Sequence, residues 1–298
     1  MHFHLRSSAK INLSLDILAR RADGYHQLAS VVHSVGLYDE IELELTRDGE
    51  IALDCADAEL CGEANLCARA VRLWNQTTGD RFGARIGLHK TIPTGAGLGG
   101  GSGNAAAILL ALARASKIAV SAGALEKLGA QLGADVPLFL HGGALLMEGI
   151  GEKLTPLAPL DGWIVLVKPP VSLATPPMYR AWDESELQSE NATPDLLKDW
   201  QSGLATIAAN LGNDFARVVN QLMPAPSRCV ELLRQVGALG AQMSGSGSAC
   251  YGIFADGNAA QAAQAELEIA LAKDVLTEGA ATWVVPFVAR GVEIHPGN

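Results

Sequence analysis

The chain has 298 residues, of which 49% are hydrophobic and 18% are charged, and its formal net charge is −10 at pH 7. This composition indicates a globular protein rather than a disordered one, and the length leaves room for about two domains. The acidic balance argues against a nucleic-acid-binding surface, because such surfaces are built on clustered lysine and arginine.

Targeting and redox signals are absent from the sequence. The first residues lack the apolar core of a signal peptide, and the longest apolar run, residues 105–113, falls well short of the ~20 residues that span a bilayer. The five cysteines contain no C-x-x-C pair, which favours reduced thiols over a zinc site. We therefore expect a cytoplasmic protein without a membrane partner.

The first predicted element is a strand over residues 3–18, where apolar and polar side chains alternate. Lys10 and Asn12 are two residues apart, so they point to the same face of that strand. A solvated edge is the simplest interpretation of this spacing. The segment 20–26 contains Asp-Gly and is predicted to be a turn, either an ordinary hairpin loop or one that presents Tyr25 and His26.

Strands and a helix precede a glycine-rich loop. Alternation predicts strands at residues 30–36, 41–46 and 51–54. A helix is predicted over 65–74 with Asn65 as its N-cap. A strand over 85–90 then leads into the loop 93–104 and a helix over 104–115.

The glycine loop has a chemistry that follows from residue type. Six glycines fall between Gly95 and Gly103, and a backbone without Cβ atoms can adopt positive φ and approach a ligand closely. The loop opens a helix, whose first N–H groups lack internal partners and lie at the positive end of the dipole. Such a site binds anions, and phosphate above all.

Three other interpretations of this loop are weaker. Gly95, Gly97 and Gly100 match the dinucleotide fingerprint, but that fingerprint needs an acidic residue about 20 positions later, and the first one here is Glu126. A Walker A loop is excluded because no lysine follows the glycines. A flexible linker would seldom join a strand to a strong helix. The loop is therefore predicted to bind nucleotide phosphates in another way.

Asp135 lies on a short predicted bend after a helix over 122–132. Gly133 suits the end of that helix, and Pro137 is expected to keep it from resuming. A lone aspartate at such a place is usually a cap or turn residue. Its apolar neighbours also favour a functional carboxylate, since partial burial tunes a carboxyl group, and both interpretations stay open.

The second half of the sequence contains a second glycine–serine loop, at residues 243–250, between predicted strands. It is either a simple hairpin or a second surface of close approach beside the first loop. The remaining predicted elements are strands at 144–148, 163–168, 240–243, 250–254 and 282–288, a proline-stiffened connection at 169–179, an exposed acidic loop at 183–195, and helices at 214–222, 227–236 and 258–273.

Three sequence blocks resemble the GHMP kinases, the superfamily of galactokinase, homoserine kinase, mevalonate kinase and phosphomevalonate kinase. The blocks are residues 9–13 with 20–26, residues 93–106 with 132–137, and residues 243–247. The Arg-Ala-Asp-Gly-Tyr-His segment and the doubled glycine before Ser102 are similar to one family in particular, the 4-diphosphocytidyl-2-C-methyl-D-erythritol kinases of the non-mevalonate isoprenoid pathway.

The resemblance implies a two-domain α+β fold. A ribosomal-protein-like, ATP-binding N-terminal domain would span residues 1–155, and a ferredoxin-like C-terminal domain would span 156–298. The active site would lie in the cleft between them. The implied activity is ATP-dependent phosphorylation of the 2-hydroxyl of the diphosphocytidyl-methylerythritol substrate, by a monomer or weak homodimer without a nucleic-acid or membrane partner.

The resemblance also assigns roles to residues. Lys10 and Asp135 match the family's catalytic pair, with Asp135 as the base and Lys10 orienting it and stabilising the transferring phosphoryl group. Mg²⁺ would be held mainly by ATP phosphates, with Ser102 as a further ligand. The ATP site would comprise Asn65, Pro93, Thr94, Gly95, Ala96, Gly97, Leu98, Gly99, Gly100, Gly101, Ser102 and Gly103, and the cytidine end would contact Asn12, Tyr25, His26, Thr175 and Tyr179.

One departure from the family and two rival functions remain. The family usually has a second serine where this chain has Gly103, so a hydroxyl that could serve phosphate or Mg²⁺ is missing. One rival is another GHMP kinase activity, on homoserine or mevalonate. Those substrates have no pyrimidine for the residues at the cytidine end to contact. A non-catalytic nucleotide sensor would not need both Lys10 and Asp135.

Overall fold

The structure is a computed structural model that describes residues 1–296, with the backbone alone at Glu59 and Pro296. Its strands are β1 His2–Asn12, β2 Ser14–Arg20, β3 His26–Thr46, β4 Ile51–Cys55, β5 Gly83–His89, β6 Ala144–Gly149, β7 Lys153–Leu157, β8 Trp163–Lys168, β9 Gly212–Asn213, β10 Gly240–Met243, β11 Cys250–Phe254, β12 Ala281–Pro286 and β13 Val292–Pro296. Its helices are α1 Leu66–Thr78, α2 Gly100–Ala115, α3 Ala122–Leu132, α4 Val136–His141, α5 Thr175–Glu184, α6 Ala192–Lys198, α7 Leu204–Ala209, α8 Val219–Leu222, α9 Ala225–Gln235 and α10 Gly257–Leu271.

The larger of the two sheets is built around β3. That strand pairs with β1, β2, β5 and β6, and the sheet extends through β13, β9, β4 and β7. Helices α1 to α4 pack against this sheet, and the buried side chains of α2, such as Ile108 and Leu112, join those of Trp74 and Phe82 in one core. Because α2 is enclosed by this core, the glycine loop at its N-terminus has a rigid support.

The second sheet has the strand order β10-β11-β8-β12, and each neighbouring pair is antiparallel. This order and connectivity match the ferredoxin-like arrangement that the resemblance implied. Helices α9 and α10 pack on the sheet through a separate core that includes Cys229, Leu233 and Leu267. The two-domain α+β prediction is confirmed. The boundary at residues 155/156 stays a prediction, and strand β13, from the end of the chain, pairs with β1 in the first sheet.

Two predicted strand boundaries in the first sheet are wrong. The strand predicted at 3–18 is interrupted at Leu13, and the two strands predicted at 30–36 and 41–46 form one continuous strand, β3. Opposite Ser8 and Ala9 the pairing of β3 jumps from Tyr38 to Val35. Such a bulge breaks the alternation of side chains while the strand continues, so periodicity alone divides it in two.

Some prolines and glycines of three predicted loops lie in the first turns of helices. Helix α2 begins at Gly100 rather than at residue 104. Pro137 lies in the first turn of α4, and the connection predicted at 169–179 contains the start of α5. Proline is tolerated in the first helical turn because the N–H groups there have no intrahelical partner, so these prolines initiate helices rather than prevent them.

The predicted loop at 183–195 is partly helical and is tied to the first sheet. Helix α6 begins at Ala192, and the amides of Ala192 and Thr193 each donate to the Asp16 carboxylate at 2.9 Å. Strands 163–168, 240–243 and 250–254 are confirmed, whereas β7, α7 and β13 have no counterpart in the sequence predictions. None of the helices within residues 1–296 has the length and apolar character needed to cross a membrane.

Candidate active site

The glycine loop is anchored by two apolar side chains. Ala96 and Leu98 are buried, and glycines with positive φ occupy positions 95, 97 and 99 between and beside them. The first hydrogen bond of α2 runs from the Gly103 amide to the Gly99 carbonyl at 2.9 Å. The amides of residues 100–102 therefore precede the first helical hydrogen bond, and no described side chain caps this helix. The loop thus has the free N–H groups of an anion site.

The second glycine–serine loop packs directly on the first. The Ser244 hydroxyl donates to the Gly97 carbonyl at 3.0 Å, and the Ala249 amide donates to the Ala96 carbonyl at 3.1 Å. A Cβ atom at Gly97 would lie 2.2 Å from the Ser244 carbonyl oxygen. Residues 243–250 are therefore both the hairpin between β10 and β11 and the close-approach surface that the sequence left open.

Lys10 and Asp135 face each other beside these loops. The Lys10 ammonium lies 3.8 Å from the Asp135 carboxylate and donates to the Asn12 side-chain oxygen at 2.7 Å. Lys10 is buried, whereas the Asp135 side chain is 36% exposed, so the carboxylate is the member of the pair that a substrate can reach. Burial lowers the pKa of Lys10, and the Asp135 charge opposes that shift. The solvated edge considered for Lys10 and Asn12 is therefore wrong.

Asn12 forms hydrogen bonds with four other side chains, one of which, the Ser244 hydroxyl, accepts from its backbone amide at 3.4 Å. Its amide nitrogen donates to the Ser30 hydroxyl at 2.9 Å while its oxygen accepts from Lys10. Its backbone carbonyl accepts from the Tyr251 hydroxyl at 2.8 Å. The side chain therefore orients Lys10, and the network joins the strand of the first sheet to the second sheet.

The residues assigned to the cytidine end lie on three elements. His26 is buried at the start of β3 and stacks on Tyr179 of α5, with ring centroids 5.2 Å apart and planes 12° from parallel. Burial raises the pKa of Tyr179 to about 12, and Asp135 contributes in the same direction. Tyr25 is 64% exposed at the tip of its turn, and the Thr175 hydroxyl lies 2.9 Å from that of Ser246.

Two cavities lie at the glycine loops, and neither Tyr25 nor His26 lines them. One, of about 360 Å³, is lined by the glycine loop together with Asn65, Leu66 and Lys90. The other, of about 200 Å³, contains Lys10, Asp135 and Tyr179 together with glycines of both loops, and Gly95, Gly97 and Gly99 line both cavities. A larger depression of about 720 Å³ lies on the outer sheet face, but its charged side chains, such as Arg85 and Glu44 at 3.0 Å, pair with each other.

Asn65 lies at the N-terminus of α1, as the sequence predicted, and caps that helix. Its side-chain oxygen accepts from the Cys67 amide at 2.8 Å, which confirms it as the N-cap of α1, and its nitrogen donates to the Leu60 carbonyl at 2.8 Å. The residue also lines the loop cavity. Its contact with adenine or ribose stays a prediction.

Lys90 and Asp39 were not predicted as site residues from the sequence. Lys90 forms an ion pair with the buried Asp39, which also accepts from the amides of Thr91 and Ile92 at 2.8 and 2.9 Å. A Cβ atom at Gly100 would lie 3.0 Å from the Lys90 ammonium, so this charge stands at the start of α2. The available signal was a lysine three residues before Pro93, at the end of a predicted strand.

Position 103 points away from the loop cavity. A Cβ atom at Gly103 would lie 3.2 Å from the Ser8 carbonyl oxygen and 3.3 Å from the Phe139 ring. A serine side chain at position 103 would therefore face the packed contact with β1 and α4. Ser102 makes no hydrogen bond with another residue in the described part of the chain, and it lies in the first turn of α2 opposite Gly133.

Magnesium fits this set of donors as an ion held mainly by a nucleotide. The side chains that the structure describes form no cluster of three or more His, Cys, Asp or Glu that could hold a metal. Mg²⁺ prefers oxygen ligands and commonly keeps water and substrate phosphates in its coordination shell. The Ser102 hydroxyl and the partly exposed Asp135 carboxylate are oxygen donors beside the phosphate loop, so no dedicated cage is required.

Sequence comparisons identify relatives over most of the chain. The model of the GHMP kinases N terminal domain matches residues 65–143, and that of the GHMP kinases C terminal domain matches residues 194–273. A 4-diphosphocytidyl-2-C-methyl-D-erythritol kinase from Alkaliphilus metalliredigens is 38% identical over 268 residues, which are 89% of this chain and 92% of that protein.

Solved structures of other proteins have a fold similar to that of this chain. A crystal structure of 4-(cytidine 5'-diphospho)-2C-methyl-D-erythritol kinase is 31% identical, with a TM-score of 0.80 over 95% of this chain and 98% of the other. A homoserine kinase from Cytophaga hutchinsonii has a TM-score of 0.76 over 99% of this chain and 97% of the other, at 18% identity. The second likeness shows a shared fold alone.

Proposed function

This chain belongs to the GHMP kinases and, within them, to the 4-diphosphocytidyl-2-C-methyl-D-erythritol kinases, and we propose that it transfers the γ-phosphoryl group of ATP to the 2-hydroxyl of that diphosphocytidyl substrate. The observation that carries the proposal is the Lys10–Asp135 pair beside the glycine loop. A kinase needs an acceptor for the hydroxyl proton next to a phosphate site, and these two features share one cavity.

Asp135 acts as the base in this proposal. Its partly exposed carboxylate accepts the proton of the attacking hydroxyl, and the opposite charge of Lys10 favours the ionised form that a base needs. Lys10 is held by Asn12, so its ammonium has a fixed position from which it orients Asp135. The same positive charge stabilises the negative charge that spreads over the transferring group.

The glycine loop holds the ATP phosphates through the amides at the start of α2. Lys90 stands at the same helix start, where its ion pair with Asp39 fixes the position of its ammonium group beside the phosphate site. Mg²⁺, when bound with ATP, would be held by phosphate oxygens, water and Ser102, and it would supply charge neutralisation between the phosphates. Asn65 lies on the wall of the loop cavity, where it would reach the nucleoside of ATP.

The cytidine end of the substrate lies at the turn 20–26 and helix α5. Tyr25 is exposed and Tyr179 is uncharged, and both offer an aromatic face on which cytosine can stack. Thr175 and Asn12 line the cavity that also contains Tyr179, Lys10 and Asp135. We expect the protein to work in the cytoplasm as a monomer or weak homodimer, without nucleic-acid or membrane partners.

The alternative is a different GHMP kinase activity, on homoserine or mevalonate. The fold shared with a homoserine kinase allows it. Neither of those substrates has a pyrimidine that could stack on Tyr25 or Tyr179. A non-catalytic sensor would in turn have no need of the Lys10–Asp135 pair.

The decisive experiment measures ADP release with Mg-ATP and the diphosphocytidyl substrate. We expect substrate-dependent turnover by the wild type and a loss of at least ~100-fold in kcat for Asp135→Asn, the scale of general-base catalysis. Asp161→Asn removes an exposed carboxylate that lines neither cavity and serves as the matched control.

Each other outcome has a definite meaning. Turnover that Asp135→Asn barely changes would keep the kinase assignment and make Asp135 structural. Turnover of homoserine or mevalonate, but not of the diphosphocytidyl substrate, would leave the superfamily membership intact and refute the proposed substrate.

A further inference from the structure

The orientation of the Asn12 side-chain amide determines whether Lys10 has a close partner. An asparagine amide has an acceptor oxygen on one side and a donor NH2 group of nearly the same shape on the other. In the structure the oxygen accepts from the Lys10 ammonium at 2.7 Å, and the nitrogen donates to the Ser30 hydroxyl at 2.9 Å. A rotated amide would direct its NH2 group at the ammonium, and two donors would then face each other.

The backbone of Asn12 is fixed, so rotation of the amide is the freedom that remains. The Asn12 carbonyl accepts from the Tyr251 hydroxyl at 2.8 Å, and its backbone N–H donates to the Ser244 hydroxyl at 3.4 Å. Asn12 and Lys10 are both buried, so water has little access to either side chain. The orientation of the amide therefore depends on the protein group at its far side.

Ser30 is that group, and its own proton is already used. Its hydroxyl donates to the backbone carbonyl of Ser14, which can only accept. The Ser30 oxygen can then act towards Asn12 only as an acceptor, which suits the NH2 side of the amide and repels its oxygen. Ser30 is fully buried on β3 and lines neither cavity of the candidate active site, so it acts through its neighbours.

We propose that Ser30 is a positioning residue for phosphoryl transfer, because it turns the oxygen of Asn12 towards the Lys10 ammonium. This inference rests on the proposed function, in which Lys10 orients Asp135 and stabilises the transferring group. The hydrogen bonds from Lys10 to the Ser14 carbonyl all run in one direction. Hydrogen bonds in series polarise one another, so the bond made by Ser30 also strengthens the one made by Lys10.

The contacts of the Lys10 ammonium make it sensitive to this orientation. Among the described residues it has two polar partners, the Asn12 oxygen at 2.7 Å and the Asp135 carboxylate at 3.8 Å. The shorter contact holds the ammonium more firmly, and only that contact depends on the amide. A Cβ atom at Gly245 would lie 3.3 Å from both the ammonium and the Asn12 oxygen, so the second loop covers this pair closely.

The test compares Ser30→Ala with the wild type and with Thr277→Val in the ADP-release assay. Thr277 is a matched control because it is also fully buried, and its hydroxyl donates to the Leu271 carbonyl at 3.0 Å after the end of α10. Each substitution removes one buried hydroxyl that donates to a backbone carbonyl, but only Ser30 faces Asn12. Ser30→Cys is a second variant, which keeps the side-chain volume and has only a weakly accepting sulfur.

We expect kcat to fall by at least ~10-fold in Ser30→Ala and Ser30→Cys, because small displacements of reacting groups are costly. The KM of both substrates should change by less than about 3-fold, since Ser30 lines neither cavity. Thr277→Val should lose thermal stability to a similar degree but keep kcat within about 2-fold of the wild type. Wild-type kcat in either Ser30 variant would overturn the inference.

A double-mutant cycle tests whether Ser30 acts through Asn12. Asn12→Ala removes the amide that Ser30 orients. Adding Ser30→Ala to this protein should therefore change kcat by less than about 2-fold. A further loss as large as the one in the wild-type background would show that Ser30 acts by another route, and it would refute the proposal.

Proton exchange of the Asn12 side-chain amide, followed by NMR, tests the inference without turnover. The signal is assigned by its loss in Asn12→Ala. We expect slow exchange in the wild type and in Thr277→Val, and exchange at least ~10-fold faster in Ser30→Ala, where the amide has lost its acceptor. Equal exchange in the wild type and Ser30→Ala would refute the inference.

Failure of the proposed function has a different signature. In that case the wild type does not turn over the diphosphocytidyl substrate, and kcat cannot be compared between the variants. The exchange measurement then determines by itself whether Ser30 fixes the Asn12 amide: faster exchange in Ser30→Ala alone supports that role, and the same rate in all three proteins refutes it.

Discussion

At the scale of single residues, hydrogen-bond partners set the chemistry of two buried histidines in opposite ways. The Asp183 carboxylate, on helix α5, lies 2.8 Å from Nε2 of His26, so that nitrogen is the hydrogen-bond donor. His33 accepts at Nε2 from the Leu160 amide at 2.9 Å, and its Nδ1 donates to the Ser34 carbonyl at 2.8 Å. The neutral form of His33 satisfies both contacts, and burial lowers its pKa to about 4.

His33 therefore predicts a loss of stability in acid. Its folded-state pKa is depressed, so its contribution is complete above the unfolded value of about 6.5 and is lost as the pH falls towards 4. Between these values the unfolded chain binds one more proton than the folded one. The free energy of unfolding should fall by roughly 3 kcal/mol over that interval. Urea titrations from pH 7.5 to 4 measure it.

The comparison protein for this prediction is His33→Gln. Between pH 6.5 and 4, we expect the free energy of unfolding of His33→Gln to depend less on pH than that of the wild type. The two slopes should differ by about 1 kcal/mol per pH unit. Equal slopes in the two proteins would mean that His33 is protonated in the folded state.

At the scale of elements, the two glycine loops form one unit. The first loop joins β5 to α2 and the second joins β10 to β11, and hydrogen bonds from residues 244 and 249 connect the two loops. Gly97 lies at the closest approach and has a φ of +76°. A side chain there would be strained by its backbone and would collide with the Ser244 carbonyl.

We expect Gly97→Ala to lower the free energy of unfolding by about 3 kcal/mol, since backbone strain and overpacking add. The KM for ATP should rise by about 10-fold or more, because the loop cannot keep its shape. Gly101→Ala is the control for stability. It lies in the first turn of α2 with its nearest neighbour 3.8 Å away, and alanine favours a helix.

Urea unfolding and ATP kinetics measure the two effects. A Gly97→Ala protein as stable as Gly101→Ala would show that the two loops can separate without cost.

At the scale of the whole molecule, the end of the chain supports the catalytic bend. Strand β13 pairs with β1, which carries Lys10, and the residue before it, Gly291, packs against α4, whose N-cap is Asp135. A Cβ atom at Gly291 would lie 2.5 Å from the Phe139 carbonyl oxygen. The last strand therefore braces both members of the pair although it is far from them in sequence.

Gly291→Ala should push α4 away from β13. We expect a loss of about 1–3 kcal/mol in stability and up to ~100-fold in kcat/KM, because small displacements of reacting groups are costly. Gly123→Ala, at an exposed position of α3 without a neighbour within 4 Å, is the control and should be as stable as the wild type or slightly more so. Calorimetry and ADP release measure both effects, and full activity in Gly291→Ala would contradict this role.

The sequence by itself determined the elements whose cause is local. Glycines at positions 95–103 before an Ala/Leu run specify a phosphate loop and a helix start, and Asn65 specifies an N-cap, because each depends on neighbours along the chain. Short buried strands such as 163–168 were predictable for the same reason. The prolines at 137 and 176 were misjudged, since a proline breaks or begins a helix according to which turn it occupies.

Only the tertiary structure decided which residues meet. Lys10 and Asp135 are 125 positions apart, and neither has a local signal stronger than that of an edge or a turn. They form a pair because α2 packs against both β1 and α4, and a strand from the other end of the chain supports this arrangement. Asp183 and Lys90 were missed for the same physical reason: the chemistry of a charged side chain depends on the partner opposite it, and sequence spacing does not reveal that partner.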